Sequence, residues 1–408
     1  MAHVGIMIRQ AAILVGGLGT RLGERTRLVP KPLLEVGGRP FLDYLLDELT
    51  RYPTIHDIVL LAGHRAEVVL EAYHGKRWRG ASVTVVCEPS PSGTGGALKH
   101  AAAVLQDRFF LLNGDSWFDF NLLDLAVRAE TSSAIVHMAL KRDQAGDRYG
   151  RVRLEGNTVK SFLTAGAEPS GPINTGVYCV DRKIFGSIDE MPCSLEQQVF
   201  PRLVAEGHLV ANLYDGFFID IGIPADFGRV QSELPNRLNR PAVFFDRDGV
   251  LNVDKGYVHR VEDFEWVIGA REAIKLCNDL GYYAFVVTNQ SGVARGYYGV
   301  DDVHRLHDWM NGELAVVGAH IDDYQYCPYH EEGTVEAFRR ASDRRKPAPG
   351  MILDCMKAWP VRKEGSLLVG DNSRDVEAAH AAGLPGHLYR EGDLAMFLRP
   401  LISSLATR

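Results

Sequence analysis

The sequence predicts an α/β protein of two domains, each built on a mostly parallel sheet. Short apolar runs alternate with helical patterns along the whole chain, the pattern of strands interleaved with crossover helices. The length, 408 residues, exceeds one ordinary domain of about 100–200 residues. The polar stretch Glu233–Pro241, with prolines at 235 and 241, is followed at once by a fresh apolar run. That puts the boundary near residue 238 and the domains at 1–236 and 240–408.

In the first half the strand candidates are Ala11–Val15, Ile58–Ala62, Val83–Cys87, Phe109–Leu112 and Ala134–Leu140. Phe41–Tyr52 and Gly95–Leu105 have helical spacing. In the second half the strands are Ala242–Phe245, Ala284–Val287 and Leu367–Val369, with a helix over Ala270–Leu280. Hydrophobic residues make up 46% and charged residues 24%, the balance of a packed globular protein rather than a disordered or disulfide-dense one. A net charge of −7 argues against a nucleic-acid or anionic-membrane surface. The six cysteines form no Cys-x-x-Cys pair and read as reduced thiols. Residues 1–10 carry no leader pattern, and the apolar run 11–15 stops at Gly16-Gly17, too short to span a membrane. The expected location is therefore cytoplasmic, with small-molecule partners; a homo-oligomer is compatible with the chain.

The segment Ala11–Val15 runs into Gly16-Gly17-Leu-Gly19-Thr20-Arg21. Glycines let a backbone approach phosphates, and successive N–H groups make an anion cradle. Arg21 adds a permanent charge for a leaving pyrophosphate. Lys31, between Pro30 and Pro32, supplies a second cation on a stiff loop. The spacing is neither GxGxxG nor that of a P-loop, and a glycine turn before a solvated arginine would look the same in isolation. Asp115 and Asp220 each end an apolar run. Two carboxylates at strand ends suit a Mg²⁺ held against a triphosphate, though either alone also fits a turn or a helix cap.

Together these motifs resemble the sugar-1-phosphate nucleotidyltransferase family over residues 8–235. The resemblance implies a Rossmann-like nucleotidyltransferase fold and nucleotide binding by Gly16, Gly17, Gly19, Thr20 and Arg21. It makes Arg21 and Lys31 catalytic and Asp115 and Asp220 metal ligands. A sugar phosphate oxygen attacks the α-phosphorus of an NTP, and positioning and charge neutralisation carry the reaction. The loop Glu88–Gly96 lies against the base in that family. One carboxylate can accept both adjacent donors of guanine, so Glu88, with Gly93, suits GTP; a surface glutamate is the plain alternative. Ser92–Leu98, Ile173–Tyr178 and Phe218–Pro224 are similar to the D-glycero-α-D-manno-heptose-1-phosphate guanylyltransferases, which puts Asn174 on sugar hydroxyls. Many relatives carry Glu-Lys after the phenylalanine matching Phe162, where this chain has Thr164 and Ala165. The sugar-phosphate contact is thereby unassigned, with Lys160 or Arg148 as candidates.

In the second half an apolar run ends in Asp246-Arg-Asp248-Gly249. Thr288-Asn289, Arg345-Lys346-Pro and Gly370-Asp371-Asn-Ser-Arg-Asp375 follow in that order. Asp246 can attack phosphorus, splitting one hard step into two. Asp248 can protonate the leaving alkoxide and then deprotonate water. Mg²⁺ held by Asp246, Asp371 and the Asp248 carbonyl would neutralise charge, with Thr288 and Lys346 on the phosphoryl oxygens. This set resembles the haloacid-dehalogenase superfamily over about residues 241–390. The resemblance implies a Rossmannoid fold, and the gaps between motifs leave no room for a large cap.

Asn252–His259, Thr288–Gly296 and Gly333–Arg339 are similar to the D-glycero-D-manno-heptose-1,7-bisphosphate 7-phosphatases. Histidinol-phosphate phosphatases are near relatives. Asn289, Arg295 and Arg345 become substrate contacts, the two arginines for the distal phosphate, although each arginine also fits a solvated surface. Relatives often bind structural zinc through Cys-x-His and Cys-x-Cys. Here Cys327-Pro-Tyr329-His330 and Ser342-Asp343-Arg344 stand in those places, two thiolates short of a four-ligand site, so no structural zinc is expected. Asn372 also departs from the lysine of close relatives.

The two resemblances name neighbouring steps. The expectation is a bifunctional enzyme of GDP-heptose synthesis, using GTP, heptose phosphates and Mg²⁺ in both domains. The competing readings are the same architecture on mannose 1-phosphate or histidinol phosphate, and a non-catalytic regulatory module.

Overall fold

The computed structural model describes residues 7–17, 19–142, 149–164 and 170–402. Arg148 and Ala165 lie outside the described residues. The chain forms two compact units, 1–236 and 237–408.

The first unit is built on a ten-stranded sheet. Its parallel centre runs Ala81–Cys87, Asp57–Ala62, Gln10–Leu14, Arg108–Asn113. In chain order this is 3-2-1-4, so four carboxyl ends converge at one edge, where α/β sheets bind ligands. The strands are apolar on both sides because both faces are covered. Ala12, Phe109 and Leu111 enter one core with Leu98 and Phe200, while Ala11, Ile13 and Phe110, facing the other way, are equally inaccessible. Ile173–Asp181 runs antiparallel against Arg108–Asn113 and Val136–Lys141, and Leu209–Tyr214 pairs parallel with the latter. The hairpin Arg151–Glu155/Thr158–Leu163 closes that edge.

The polar stretch Glu233–Leu238, next to the expected boundary, is the end of a helix, Pro224–Leu238, with Pro235 inside it. Docking explains its persistence. Gln231 donates Nε2 to the Glu35 carbonyl at 3.0 Å and accepts from the Gly37 N–H at 3.2 Å. Pro235 Cγ lies 2.7 Å from where a Gly37 Cβ would stand, so contacts with the Glu35–Pro40 hairpin compensate for the missing helical hydrogen bond.

The second unit has five parallel strands in the order Asp323–Cys327, Tyr283–Asn289, Ala242–Phe245, Leu367–Gly370, Gly386–Leu388. Side chains alternate across the central strand. Val243 and Phe245 pack with Ile274, Leu306, Met310 and Leu394; Ala242 and Phe244 pack with Ile352, Ala378 and Leu384. Truncating Phe244 or Phe245, both at 0% exposure, to alanine costs about 3–5 kcal/mol. The connections leave Ala242–Phe245 to opposite sides, so its carboxyl end lies at the point where the winding reverses.

Candidate active sites

In the first unit the glycine turn follows Gln10–Leu14. Gly19 has φ +62°, and a Cβ there would stand 2.7 Å from Thr26 Cγ2. The Thr26 hydroxyl donates toward the Gly19 and Gly23 carbonyls, both at 3.1 Å, closing the loop onto the short helix that Thr20 opens. Arg21 is exposed on that helix. Gly16 faces the next strand end, where an added Cβ would stand 2.9 Å from Gly63 N.

Opposite this turn, Ser116–Phe118 pairs antiparallel with Phe218–Asp220, in register Asp220 to Ser116. This small sheet carries Asp220 to Asp115, 105 residues earlier in the chain. Lys31 lies between them: its buried Nζ is 2.6 Å from Asp115 Oδ2 and 3.3 Å from Asp220 Oδ1. The Gly222 N–H donates to Asp220 Oδ1 at 2.6 Å. Burial and the Asp115 charge raise the Asp220 pKa against the pull of Lys31. Two hard carboxylates at one point fit a divalent cation bound together with phosphate oxygens.

Glu88 follows Ala81–Cys87, and its Oε2 accepts from both the N–H (3.1 Å) and the hydroxyl of Ser92. Oε1 points at Gly63, where a Cβ would stand only 2.0 Å away. Oε2 is thus committed to shaping the loop. Gly93 (φ +76°) opens the helix Gly93–His100, and a Cβ there would be 2.3 Å from the Cys193 carbonyl. Cys193 closes over this turn by donating its N–H to the Ser92 carbonyl at 2.8 Å and accepting from Gly95 N at 2.9 Å. That contact spans about a hundred residues, and nothing local in the sequence signals it. Asn174 is braced by Tyr178 Oη (2.7 Å) and Gly176 N (3.0 Å) at a bulge in Ile173–Asp181. Lys160 pairs with Glu155 at 2.6 Å on an exposed hairpin, so its ammonium already has a surface partner. Thr164 is exposed.

In the second unit Asp246 follows Ala242–Phe245, Thr288 lies near the end of Tyr283–Asn289, and Asp371 follows Leu367–Gly370. The three therefore meet at adjacent strand ends. Lys346 Nζ, buried, is 2.8 Å from Asp246 Oδ2 and 2.8 Å from Asp375 Oδ1. Asp375 is fully buried; its Oδ2 accepts from Asn372 N at 3.0 Å, capping the helix Ser373–Ala381. The sequence reading quoted Asp375 but gave it no role. Its spacing from Asp371, one helical turn, is the signal that was there. Asn372 serves as the N-cap of that helix, and Lys346 is anchored without a cation in its place.

Asp246, Asp371 and Asp375 each offer an oxygen, all within 4.8 Å of one another, and Asp371 Oδ1 is buried with no hydrogen-bond partner. An oxygen-only cluster with an orphaned carboxylate atom fits a hard divalent cation. Burial pushes Asp246 up to about 7 against Lys346, with Asp375 and Asp248 adding to the rise. Burial, then Asp375, raises Asp371. Gly249 (φ +82°) is required here, because a Cβ would stand 2.3 Å from Asp371 Oδ2.

Asp248 is held from several sides. The Arg247 guanidinium, at 0% exposure, places Nη2 2.9 and 3.0 Å from its two oxygens and donates also to the Val258 carbonyl at 2.6 Å. Asn252 Nδ2 donates to Oδ1 at 3.0 Å and Gln290 Nε2 to Oδ2 at 2.9 Å. Asn289, expected on substrate, donates from Nδ2 to the Lys346 carbonyl and accepts from the Lys346 N–H. Arg295 Nη2 lies 3.5 Å from His330 Nε2, and Arg345, half-buried, reaches the Tyr329 carbonyl at 3.5 Å. Burial lowers the Arg345 pKa, and Arg374 and Arg295 add to that.

Cys327 is buried in an apolar cluster. Where relatives place thiolates, Arg344 binds Asp354, Gln325 Oε1 (2.7 Å) and the Tyr326 carbonyl (3.3 Å), and Arg340 covers the Tyr329 ring at 4.0 Å. Among the described residues no helix is long and apolar enough to cross a membrane.

Residues 10–237 match the nucleotidyl transferase family, and residues 343–395 the HAD-hydrolase-like family. The D-glycero-beta-D-manno-heptose-1,7-bisphosphate 7-phosphatase of Rhodopseudomonas palustris is 50% identical over 163 residues, 40% of this chain and 91% of that protein. The D-glycero-alpha-D-manno-heptose-1,7-bisphosphate 7-phosphatase of Burkholderia mallei is 46% identical over 143 residues, 35% of this chain and 76% of that protein. Among solved structures, HddC from Yersinia pseudotuberculosis is 27% identical with a TM-score of 0.50, covering 56% of this chain and all of its own. The chain belongs to the nucleotidyl transferase family through residues 10–237 and, through its 163-residue match, to the heptose-1,7-bisphosphate 7-phosphatase family.

Proposed function

We propose that the chain is a bifunctional enzyme of GDP-heptose synthesis. It removes the 7-phosphate of D-glycero-D-manno-heptose 1,7-bisphosphate and transfers GMP from GTP to the resulting heptose 1-phosphate, releasing pyrophosphate. The observation that carries this is the 50% identity to a 7-phosphatase in a chain whose other half is a nucleotidyl transferase. Residues 1–236 carry the transfer and 240–408 the hydrolysis. Loss of the 7-phosphate leaves C1 untouched, so both steps see one anomer; the transferase resemblance favours α, while the phosphatase relatives include enzymes named for the β and for the α anomer. The reactants are small molecules, and the location is cytoplasmic.

In the phosphatase site Asp246 attacks the phosphorus as the bond to the sugar oxygen breaks. Asp248 gives that oxygen its proton, and Thr288 and Lys346 hold the phosphoryl oxygens. Asp248 then takes a proton from water as the water attacks the aspartyl-phosphate, restoring Asp246. Arg295 and Arg345 receive the distal phosphate. Asp246, Asp371, Asp375 and the Asp248 carbonyl would hold Mg²⁺, which supplies charge neutralisation between carboxylate and phosphate.

In the transferase site the turn at Gly16, Gly17, Gly19 and Thr20 binds the triphosphate, and Arg21 and Lys31 offset its charge. Asp115 and Asp220 would hold the second Mg²⁺. Glu88 Oε1 receives a guanine donor beside Gly93, and Asn174 faces the sugar. The Asp246, Asp371 and Asp375 cluster and the orphaned Asp371 oxygen support the metal assignment in the phosphatase site.

The test is a product assay with purified protein, α- or β-heptose 1,7-bisphosphate and each of the four NTPs. Phosphate release followed by GDP-heptose from the α anomer is expected. Better turnover of mannose 1-phosphate, or of another NTP, would overturn the substrate assignment. Asp246→Asn should abolish phosphate release and spare GMP transfer from heptose 1-phosphate, and Arg21→Ala should do the reverse. Loss of both activities in either folded variant would sink the two-site arrangement.

A further inference from the structure

We propose that Gln290, held by Tyr298, is a positioning residue of the phosphatase reaction. It fixes Asp248 relative to Thr288, and the proposal rests on the reading of Asp248 as general acid and base. Gln290 is 1% exposed and immediately follows the strand Tyr283–Asn289. Its Nε2 donates to Asp248 Oδ2 at 2.9 Å and to Thr288 Oγ1 at 2.9 Å. Both amide protons are then used, one on the group that handles the leaving oxygen's proton and one on the group that holds the phosphoryl oxygen. Turned over, the amide would set its carbonyl oxygen against a carboxylate.

Tyr298 prevents that turn, because its Oη donates to Gln290 Oε1 at 2.6 Å. Burial raises the Tyr298 pKa, so the hydroxyl stays a donor. The ring is fixed on two sides. His259 stacks on it at 4.6 Å and 11°, and a Cβ on Gly292 would stand 2.1 Å from its Cε1. The remaining contacts of Asp248, from Arg247 and Asn252, anchor the carboxylate to the Asp-x-Asp-Gly turn and the Val258 loop. Gln290 ties it to the strand that presents Thr288.

Proton transfer needs the acid within about 2.6–3.2 Å of the leaving oxygen. That oxygen's place is set by the phosphoryl group, which Thr288 holds, so an amide shared between Thr288 and Asp248 sets the separation. The proton on Asp248 moves to the sugar oxygen as the P–O bond breaks and the Asp246–phosphorus bond forms. A sugar alkoxide is a strong base and needs that proton, whereas p-nitrophenolate leaves without it. Displacing Asp248 should therefore slow the two substrates unequally, which a general loss of stability would not do.

The experiment measures kcat and KM for heptose 1,7-bisphosphate and for p-nitrophenyl phosphate with wild type, Asp248→Asn, Gln290→Leu and Tyr298→Phe. Tyr298→Phe keeps the packed ring, and its melting temperature checks the fold. For the sugar substrate, kcat should fall about 100-fold in Gln290→Leu and about 10-fold in Tyr298→Phe, with KM within about 3-fold. With p-nitrophenyl phosphate, kcat/KM, which covers only the steps up to the aspartyl-phosphate, should change less than about 3-fold, while kcat falls with the shared hydrolysis step that Asp248 also serves. If Asp248→Asn shows the split between substrates but Gln290→Leu and Tyr298→Phe do not, the positioning role is wrong. If Asp248→Asn itself shows no split, the acid–base reading fails, and the Gln290 role fails with it.

Discussion

Asn289 and Lys346 clasp one another across 57 residues of sequence. The Asn289 amide donates to the Lys346 carbonyl at 3.1 Å and accepts from the Lys346 N–H at 3.1 Å. The side chain therefore acts through the lysine: it fixes the backbone from which Nζ reaches Asp246 and Asp375. Asn289→Ala removes two hydrogen bonds worth about 1 kcal/mol each. Phosphatase kcat should fall about 10- to 100-fold, because small misplacements near chemistry are costly, while GMP transfer is unchanged. Paired assays on the two half-reactions check this.

Lys31 stands in the transferase site as Lys346 does in the other, with Nζ 2.6 Å from Asp115 and 3.3 Å from Asp220. Lys31→Met leaves two carboxylates facing each other without a cation. Nucleotidyl transfer should drop at least about 100-fold, with phosphate release from the bisphosphate unaltered. Retained transfer in the folded variant would remove Lys31 from the reaction.

His137 lies buried on Val136–Lys141, and burial, helped by Arg108, lowers its pKa to about 4. The unfolded chain takes up this proton near pH 6.5 and the folded one does not. Stability from this group is thus complete above about pH 6.5 and is lost as the pH falls toward 4, at up to about 1.4 kcal/mol per pH unit. Melting temperatures across pH 4.5–7.5 should fall more steeply for wild type than for His137→Gln. Parallel curves would show that the site does not titrate this way.

Gly249→Ala should separate folding from chemistry in the second unit. The added methyl meets Asp371 Oδ2 at 2.3 Å on a backbone with φ +82°, and left-handed strain costs about 1–2 kcal/mol. Phosphatase activity should fall at least about 100-fold, and Mg²⁺ binding, followed calorimetrically, should weaken. Unchanged Mg²⁺ binding would detach Asp371 from the metal.

Arg344 joins Asp354, Gln325 and the Tyr326 carbonyl around the loop that delivers Arg345 and Lys346. Arg344→Ala should cost about 1–3 kcal/mol through groups left unpaired and raise KM for the bisphosphate. Metal analysis of the purified wild type should give less than stoichiometric zinc. A one-to-one zinc content would overturn the expectation of no structural zinc.

The sequence made the parallel centres of both sheets legible, because strands covered on both faces read as unbroken apolar runs. It also pointed to Asp246, Asp248, Thr288 and Asp371, which sit at or just beyond the ends of such runs, and to Lys346 through its Arg-Lys-Pro motif. Ile173–Asp181 and the 151–163 hairpin were not proposed as strands: the first pairs antiparallel with strands distant in the chain, and the second is a half-exposed local pair whose apolar residues are interrupted by polar ones. Asp375 escaped notice because its role depends on how the first turn of Ser373–Ala381 aims back at Lys346. The clasp between Asn289 and Lys346 was hidden for a similar reason, since only the fold brings Lys346 to Asn289. Glu88 was found by motif, but its commitment to Ser92, four residues on, was legible and overlooked. The helix through Pro235 was not legible, because docking on Gly37 is invisible to local propensity.

Two compact units on one 408-residue chain also fix a dose. Each molecule translated brings one copy of either site, so expression level cannot alter their ratio. The balance between emptying the bisphosphate pool and filling the nucleotide-sugar pool then depends on the kinetic constants and substrate levels of the two sites, not on their relative amounts. A variant that slows one unit changes which intermediate accumulates, and no adjustment of protein amount restores the balance.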